Sequence, residues 1–252
     1  MATQESIIQL RGTIDNITFA RTADGKMIAY KKSSMSKEKV MNDSAFRRTR
    51  ENMAEFGRAG KASVVLKTAC RLLLQNLKDR TMNRRLVKEM VKVIKADLVS
   101  IRGQRNVIDG ETELLQGFEF NDNASLKKTL LKDYVSTINR VTGALELSIP
   151  AFIPLRDIKV PSGATHCKFV SGAYEIDFEN ETFIVDEQET GLITLDLNQH
   201  AATTLTANVT ANSTKPLFLL AGIQFYQDVN GESYPLLHGL YNPLRVVAVS
   251  GV

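Results

Sequence analysis

The hydrophobic period of this chain changes near residue 142, and that change limits each part to a different kind of secondary structure. Before it, Leu86, Met90, Ile94, Leu98 and Ile101 recur at intervals of four and three, the spacing of one buried helical stripe. After it, Leu145, Leu147 and Ile149 alternate with polar neighbours, and Tyr174, Ile176 and Phe178 alternate with Glu175, Asp177 and Glu179. A period of two is that of a half-buried strand. All six prolines (Pro150, Pro154, Pro161, Pro216, Pro235 and Pro243) lie beyond the change. Proline removes a backbone donor and breaks helices, so the long helices belong before it. The expected architecture is α+β: an N-terminal β-hairpin and helical bundle over residues 1–141, then an Ig-like antiparallel β-sandwich over residues 142–252.

Within the first part, residues 6–32 read as strands, with Ile7, Ile8 and Leu10 ahead of Gly12 and a hairpin turn at Asp24-Gly25. The return strand, residues 26–32, places Met27, Ala29 and Lys31 on one face and Ile28, Tyr30 and Lys32 on the other. A lone hairpin is marginal in water, so this one must pack on the rest of the chain or on another chain. Residues 33–43 read as a polar linker ending in the candidate helix caps Asn42, Asp43 and Ser44. A first helix is expected from about Ala45 to Leu77, with a break or a close backbone approach at Gly57 and Gly60. A second runs from Thr81 to Gly103 and a third from Ala124 to Ser136. Beyond residue 142, strands are expected at 183–185, 192–197, 203–210, 217–227 and 246–249, with a second hairpin turn at Asn230-Gly231.

Charge divides along the same line. Residues 1–150 hold 27 Lys+Arg against 17 Asp+Glu, and residues 151–252 hold 5 against 11. Basic clusters of this kind bind phosphate backbones or acidic protein surfaces. Opposite charges on one chain favour head-to-tail contacts between copies. The run Arg47-Arg48-Thr49-Arg50 opens the first helix, where cations oppose the helix dipole, which suggests an acidic partner there. Phe19, Tyr30, Arg47, Arg48, Arg50 and Arg58 are therefore the candidate contacts to another subunit or an acidic partner. Lys88, Lys92 and Lys95, on one face of the second helix, are the candidate contacts to nucleic acid.

Other chemistry is poorly represented. No run approaches the length of a membrane-spanning helix, and the N-terminal residues lack the pattern of a secretory signal, so synthesis in the cytoplasm is expected. Cys70 and Cys167 are far apart and belong to no metal-ligand spacing, which suggests buried free thiols. Gly57-Arg58-Ala59-Gly60-Lys61-Ala62-Ser63 departs from a phosphate-binding loop in glycine spacing and in having Ala62 where a hydroxyl should follow lysine. Small residues at a helix contact are the better reading. Glu175, Asp177 and Glu179 read as a solvated strand face, since calcium ligands gather in tight turns. His166, His200 and His238 stand without a nucleophile signature. No catalytic residue, cofactor or metal is assigned.

Several short motifs together resemble a protein family widespread in Bacteroidota that has no assigned activity. They are Gly12-Thr13-Ile14, Phe19, Gly25-Lys26, Arg47-x-Thr49-Arg50-Glu51-Asn52 and Glu55-Phe56-Gly57-Arg58-Ala59, then Gly117-Phe118-Glu119-Phe120-Asn121, Phe225-Tyr226-Gln227, Asn230-Gly231 and Asn242-Pro243-Leu244. The resemblance implies a component of a secreted particle, a phage-like structure or a surface assembly, and transfers no site residue. The functional expectation is a non-enzymatic, self-assembling homo-oligomer, with nucleic-acid binding through the basic helices as the alternative. Such a protein would be placed within an assembled particle or at the cell surface.

Overall fold

The computed structural model describes residues 2–5, 8–31 and 35–251 and is a mixed α+β protein with antiparallel sheets. Ile7, Lys32, Ser33 and Ser34, which enter the expected hairpin and linker, lie outside the described residues. The chain forms two compact units, Met1–Arg50 and Glu51–Val252, and does not divide at residue 142.

In the first unit, β1 (Ala2–Thr3), β2 (Gly12–Ile14), β3 (Ile17–Arg21) and β4 (Met27–Lys31) form one antiparallel sheet in the order β1-β4-β3-β2. The expected hairpin is its β3–β4 core, closed at Asp24-Gly25 with Gly25 at φ 82°. Asp15, at φ 49°, turns β2 into β3. Helix α1 (Lys37–Asn42) follows, its first turn capped by the Ser36 hydroxyl, which accepts from Lys39 N at 3.1 Å. It occupies most of what sequence reads as a linker.

Helix α2 (Arg47–Ala69) continues unbroken through both glycines and is followed by the single turn α3 (Arg71–Leu74). Its buried face is Ala59, Ala62, Ser63, Val65, Leu66 and Ala69. Helix α4 (Met82–Lys95) buries Leu86, Met90, Val93 and Ile94. It stops short of the expected Gly103 because the Asp97 carboxylate accepts from Val99 N and Ser100 N, each at 2.8 Å, and draws the backbone out of the helix. Leu98 and Ile101, expected on the buried stripe, are consequently 92% and 69% exposed.

The expected third helix is reduced to α5 (Leu126–Thr129). Beyond it, Leu131 N donates to Asp157 O and Lys159 N to Thr129 O, and β5 (Val135–Asn139) pairs with β6 (Ala144–Ile149). Sheet hydrogen bonding takes the donors that a longer helix would need. A second short turn, α6 (Pro154–Asp157), precedes β7 (His166–Asp177), β8 (Thr182–Glu189), β9 (Ile193–Thr194) and β10 (Thr203–Asn208). Then come β11 (Leu217–Val229), β12 (Glu232–Pro235) and β13 (Leu244–Ser250). The expected turn at Asn230-Gly231 joins β11 to β12, with both residues at positive φ (58° and 85°), as a two-residue hairpin loop requires.

Strands β7 and β11 are buried on both faces, and this organises the second unit. Val170, Tyr174, Ile176, Phe218, Leu220, Leu244 and Val246 pack against α2 and α4 in one apolar layer. Phe169, Ala173, Leu217, Leu219, Ala221 and Ile223 point the other way, onto Leu145, Leu147 and Ile149 of β6 and Leu205 and Ala207 of β10. The three-stranded sheet β10-β6-β5 thus faces the larger sheet β12-β11-β7-β8, which also carries β13 and β9. The helices do not form a bundle of their own. Their stripes are buried against strands more than 70 residues away, each fully buried Leu or Met contributing roughly 1.5–3 kcal/mol.

Candidate interaction surfaces

In the N-terminal sheet, residues directly opposite in register share a face. Ile14 pairs with Ile17, Ile17 with Lys31, Phe19 with Ala29 and Arg21 with Met27, so one face carries the apolar row Ile14, Ile17, Phe19, Ala29 and Met27 with Arg21 and Lys31 beside it. Tyr30 pairs with Thr18 and lies on the opposite face. Phe19 and Tyr30 therefore cannot meet one partner through the same sheet face. Among the described residues of this unit only Met27 is buried, while Ile14, Ile17 and Tyr30 are exposed.

The arginines expected to meet an acidic partner have other work. Arg50 Nη1 donates to the carbonyls of Val40 and Asp43, both at 2.8 Å, at the C-terminal end of α1, where a cation is favourable. Arg58 donates through Nη1 to Arg105 O and through Nη2 to Gly103 O, both at 2.9 Å, and so holds the loop after α4. Arg47 and Arg48 are exposed and have interactions of their own. On α4, Lys88, Lys92 and Lys95 are all exposed, and Lys92 pairs with Glu89 at 2.6 Å. Lys92 and Lys95 also sit in the last helical turn, where cations complement the dipole.

The acidic strand is not a uniformly solvated face. Glu175 is buried, and its carboxylate accepts from Thr210 N at 3.0 Å and from the Ser213 hydroxyl at 2.7 Å. Asp177 pairs with Lys215 at 2.8 Å and accepts from Glu179 N and Asn180 N, and these contacts, Lys215 foremost, hold its carboxyl well below the usual range. Both carboxylates fix turns.

Cys70 and Cys167 are buried free thiols. Burial pushes Cys167 up to about 12 and, with the neighbouring charge of Glu187, raises Cys70 as well. Neither is a nucleophile at neutral pH. Cys70 lies beside a polar pair that sequence reading missed: the Tyr174 hydroxyl donates to Glu187 Oε1 at 2.6 Å, beneath α2. Burial raises the Glu187 carboxyl, and the tyrosine only partly opposes it. Alternation along β8 was the available signal, because Phe183, Val185 and Glu187 share the helix-facing side.

The three histidines do not converge. His166 contacts the Thr165 hydroxyl, His200 stacks on Phe152 with ring centroids 5.6 Å apart, and His238 sits in a turn at φ 51°. Among the described residues no group of three or more His, Cys, Asp or Glu is placed to hold a metal ion. Among them, too, no helix is long and apolar enough to cross a membrane.

Gly57 and Gly60 overturn the expectation attached to them. A Cβ built on either meets no atom within 4 Å, so among the described residues nothing approaches the glycine face. Comparison of the chain with models of known protein families and with curated proteins returns no match.

Proposed function

We propose that this chain is a non-enzymatic structural protein that acts by self-assembly, as part of a particle, a phage-like structure or a surface layer. The observation that carries the reading is the N-terminal sheet, whose apolar row of Ile14, Ile17, Phe19, Ala29 and Met27 has only Met27 buried among the described residues. A few short strands need an apolar partner to be stable in water. A second copy provides one, and strand β2, at the edge of the sheet, offers backbone groups for pairing. The resemblance to the Bacteroidota family and the unequal charge of the two parts of the chain favour the same reading. We also read the two facing sheets as the expected sandwich, on the support of their shared apolar layer. The helices covering the other face of the larger sheet depart from a free-standing immunoglobulin domain.

Light scattering and negative-stain imaging over a range of concentrations test the proposal. Oligomers that grow with concentration, and shrink when Ile14→Asp and Ile17→Asp are introduced together, are expected. A strict monomer at high concentration overturns it. Nucleic-acid binding is a second reading, favoured by the common exposed face of Lys88, Lys92 and Lys95. It requires retention of DNA or RNA at low salt that falls steeply as salt rises.

A further inference from the structure

We propose that a hollow beside α5 binds the phosphate group of a small phosphorylated molecule of about monosaccharide size. The site is separate from the N-terminal sheet and stands whether or not copies of the chain associate.

The hollow, of about 360 Å³, lies in the second unit, where α5 meets residues 159–162 and the turn that carries Tyr241. Its volume is at the small end of the range for ligand pockets, about 300–1,000 Å³, which suits a ligand the size of one sugar ring. The backbone brings two cations to it. Leu131 N donates to Asp157 O at 2.8 Å and Lys159 N to Thr129 O at 2.7 Å, around an antiparallel bridge between Leu130 and Ile158. Leu130 and Ile158 turn into the apolar layer beneath. One step along from them, Thr129 and Lys159 line the hollow, and Lys128 of α5 joins them.

Lys128 and Lys159 are exposed, and neither has an ion-pair partner among the described residues. Among the described residues no carboxylate lines the hollow. Glu119, which accepts from the Ser125 hydroxyl at the edge at 2.8 Å, is paired with Arg245 at 3.4 Å. Two lysines without counterions in one concavity attract an oxyanion. A phosphate monoester carries about −1.5 to −2 at neutral pH, a closer match to two lysines than the single charge of a carboxylate.

Thr129 points to the same ligand independently. The residue is only 8% exposed, yet its hydroxyl has no hydrogen-bond partner among the described residues. A buried hydroxyl without a partner is costly. This one belongs to the wall of the hollow, where a phosphate oxygen would accept from it. The rest of the wall suits the body of the ligand: the ring of Tyr241 is 40% exposed beside Val160 and Pro161, and Asn123 and Ser162 offer polar groups to sugar hydroxyls. A buried amide holds this wall in place. Asn121 accepts from Asn123 N at 3.1 Å and donates to Leu240 O at 3.0 Å, so both flanking segments are fixed before a ligand arrives.

Isothermal titration calorimetry of the full chain tests the site with glucose 6-phosphate, inorganic phosphate, glucose and glucuronate. Saturable binding of glucose 6-phosphate is expected, tighter than that of inorganic phosphate or glucuronate, with glucose silent. Lys128→Gln and Lys159→Gln should each weaken it by about tenfold, and Thr129→Val, which loses only the hydroxyl, by about threefold or more. Lys127→Gln, outside the hollow, should leave the affinity unchanged, and circular dichroism should show all four variants folded. No saturable binding of glucose 6-phosphate at millimolar concentration, or binding that the Lys128 and Lys159 changes leave intact, overturns the proposal. Equal or tighter binding of glucuronate overturns the assignment of a phosphate. Equal or tighter binding of inorganic phosphate overturns the assignment of a sugar-sized body.

Discussion

Asn121 Nδ2 donates to the carbonyl of Asn242 at 2.9 Å, and Asn242 Nδ2 in turn donates to the carbonyl of Asn76 at 2.9 Å. The same Asn242 side chain accepts from Phe225 N on β11 at 3.0 Å. Two buried amides thus join the segment after α3, the loop before α5 and the loop entering β13. Phe118 and Phe120, just before Asn121 in sequence, sit in the helix-facing core. These residues hold the second unit together.

Asn242→Ala should therefore destabilise the protein by about 2–4 kcal/mol, because it leaves a buried donor at Phe225 and a buried acceptor at Asn76 unpaired. Gly239→Ala should be at least as damaging, since its Cβ would overlap the Asn76 carbonyl and its φ is 76°. Urea unfolding of the dilute protein checks both.

Arg140 is the matching clamp at the other end of the sheet. Its guanidinium donates to the carbonyls of Ser213, Lys215, Ser250 and Gly251 at 2.6–2.9 Å. Arg140→Met should cost about 2–4 kcal/mol by leaving several carbonyls without their charged donor. Hydrogen exchange should then speed up first in β13.

The dependence of stability on pH has two arms. Glu187 has a folded pKa above its ordinary 4.5, so the folded state holds its proton more tightly than the unfolded state does. Its contribution is complete below about 4.5 and is lost as pH rises through the folded value. Glu187→Gln should flatten that loss. Asp97 behaves oppositely: burial alone would raise it, but the N–H groups of Ser100, Asn106 and Val99 outweigh burial and hold it below 3.8. Its contribution is present above 3.8 and is lost as pH falls through the folded value, so Asp97→Asn should weaken the protein at neutral pH more than in acid. Thermal melts across pH for the two variants separate the arms.

Gly60→Ala tests the open helix face from the folding side. With no atom within 4 Å of the new Cβ, the substitution should stabilise the monomer by about 0.5–1 kcal/mol through helix propensity alone. A loss of stability in thermal melts of the dilute protein would mean that something in the chain packs there.

Local chemistry made much of the chain legible. The Asp24-Gly25 and Asn230-Gly231 turns, the stripe from Leu86 to Ile94 and the alternation of β6 depend on neighbours close in sequence, and each is found near its expected place. Strand β7 forms as expected but is buried on both faces. The contact residues were harder to read. Arg50 and Arg58 looked like free cations only because the carbonyls they serve, at Val40, Asp43, Gly103 and Arg105, cannot be assigned from sequence. Leu98 belonged to the right pattern but fell beyond the point where Asp97 ends the helix.

The sequence by itself determined which segments become helices, strands and turns over most of the chain, because periodicity and turn chemistry act over a few residues. Tertiary structure alone decided that α2 and α4 lie on β7 and β11, making Glu51–Val252 one compact unit where composition suggested a boundary. It also left the Gly57–Gly60 face open. Both outcomes turn on which apolar surfaces are buried against each other across long sequence distances, and hydrophobic burial is non-directional, so a local pattern marks a face as apolar without naming what covers it.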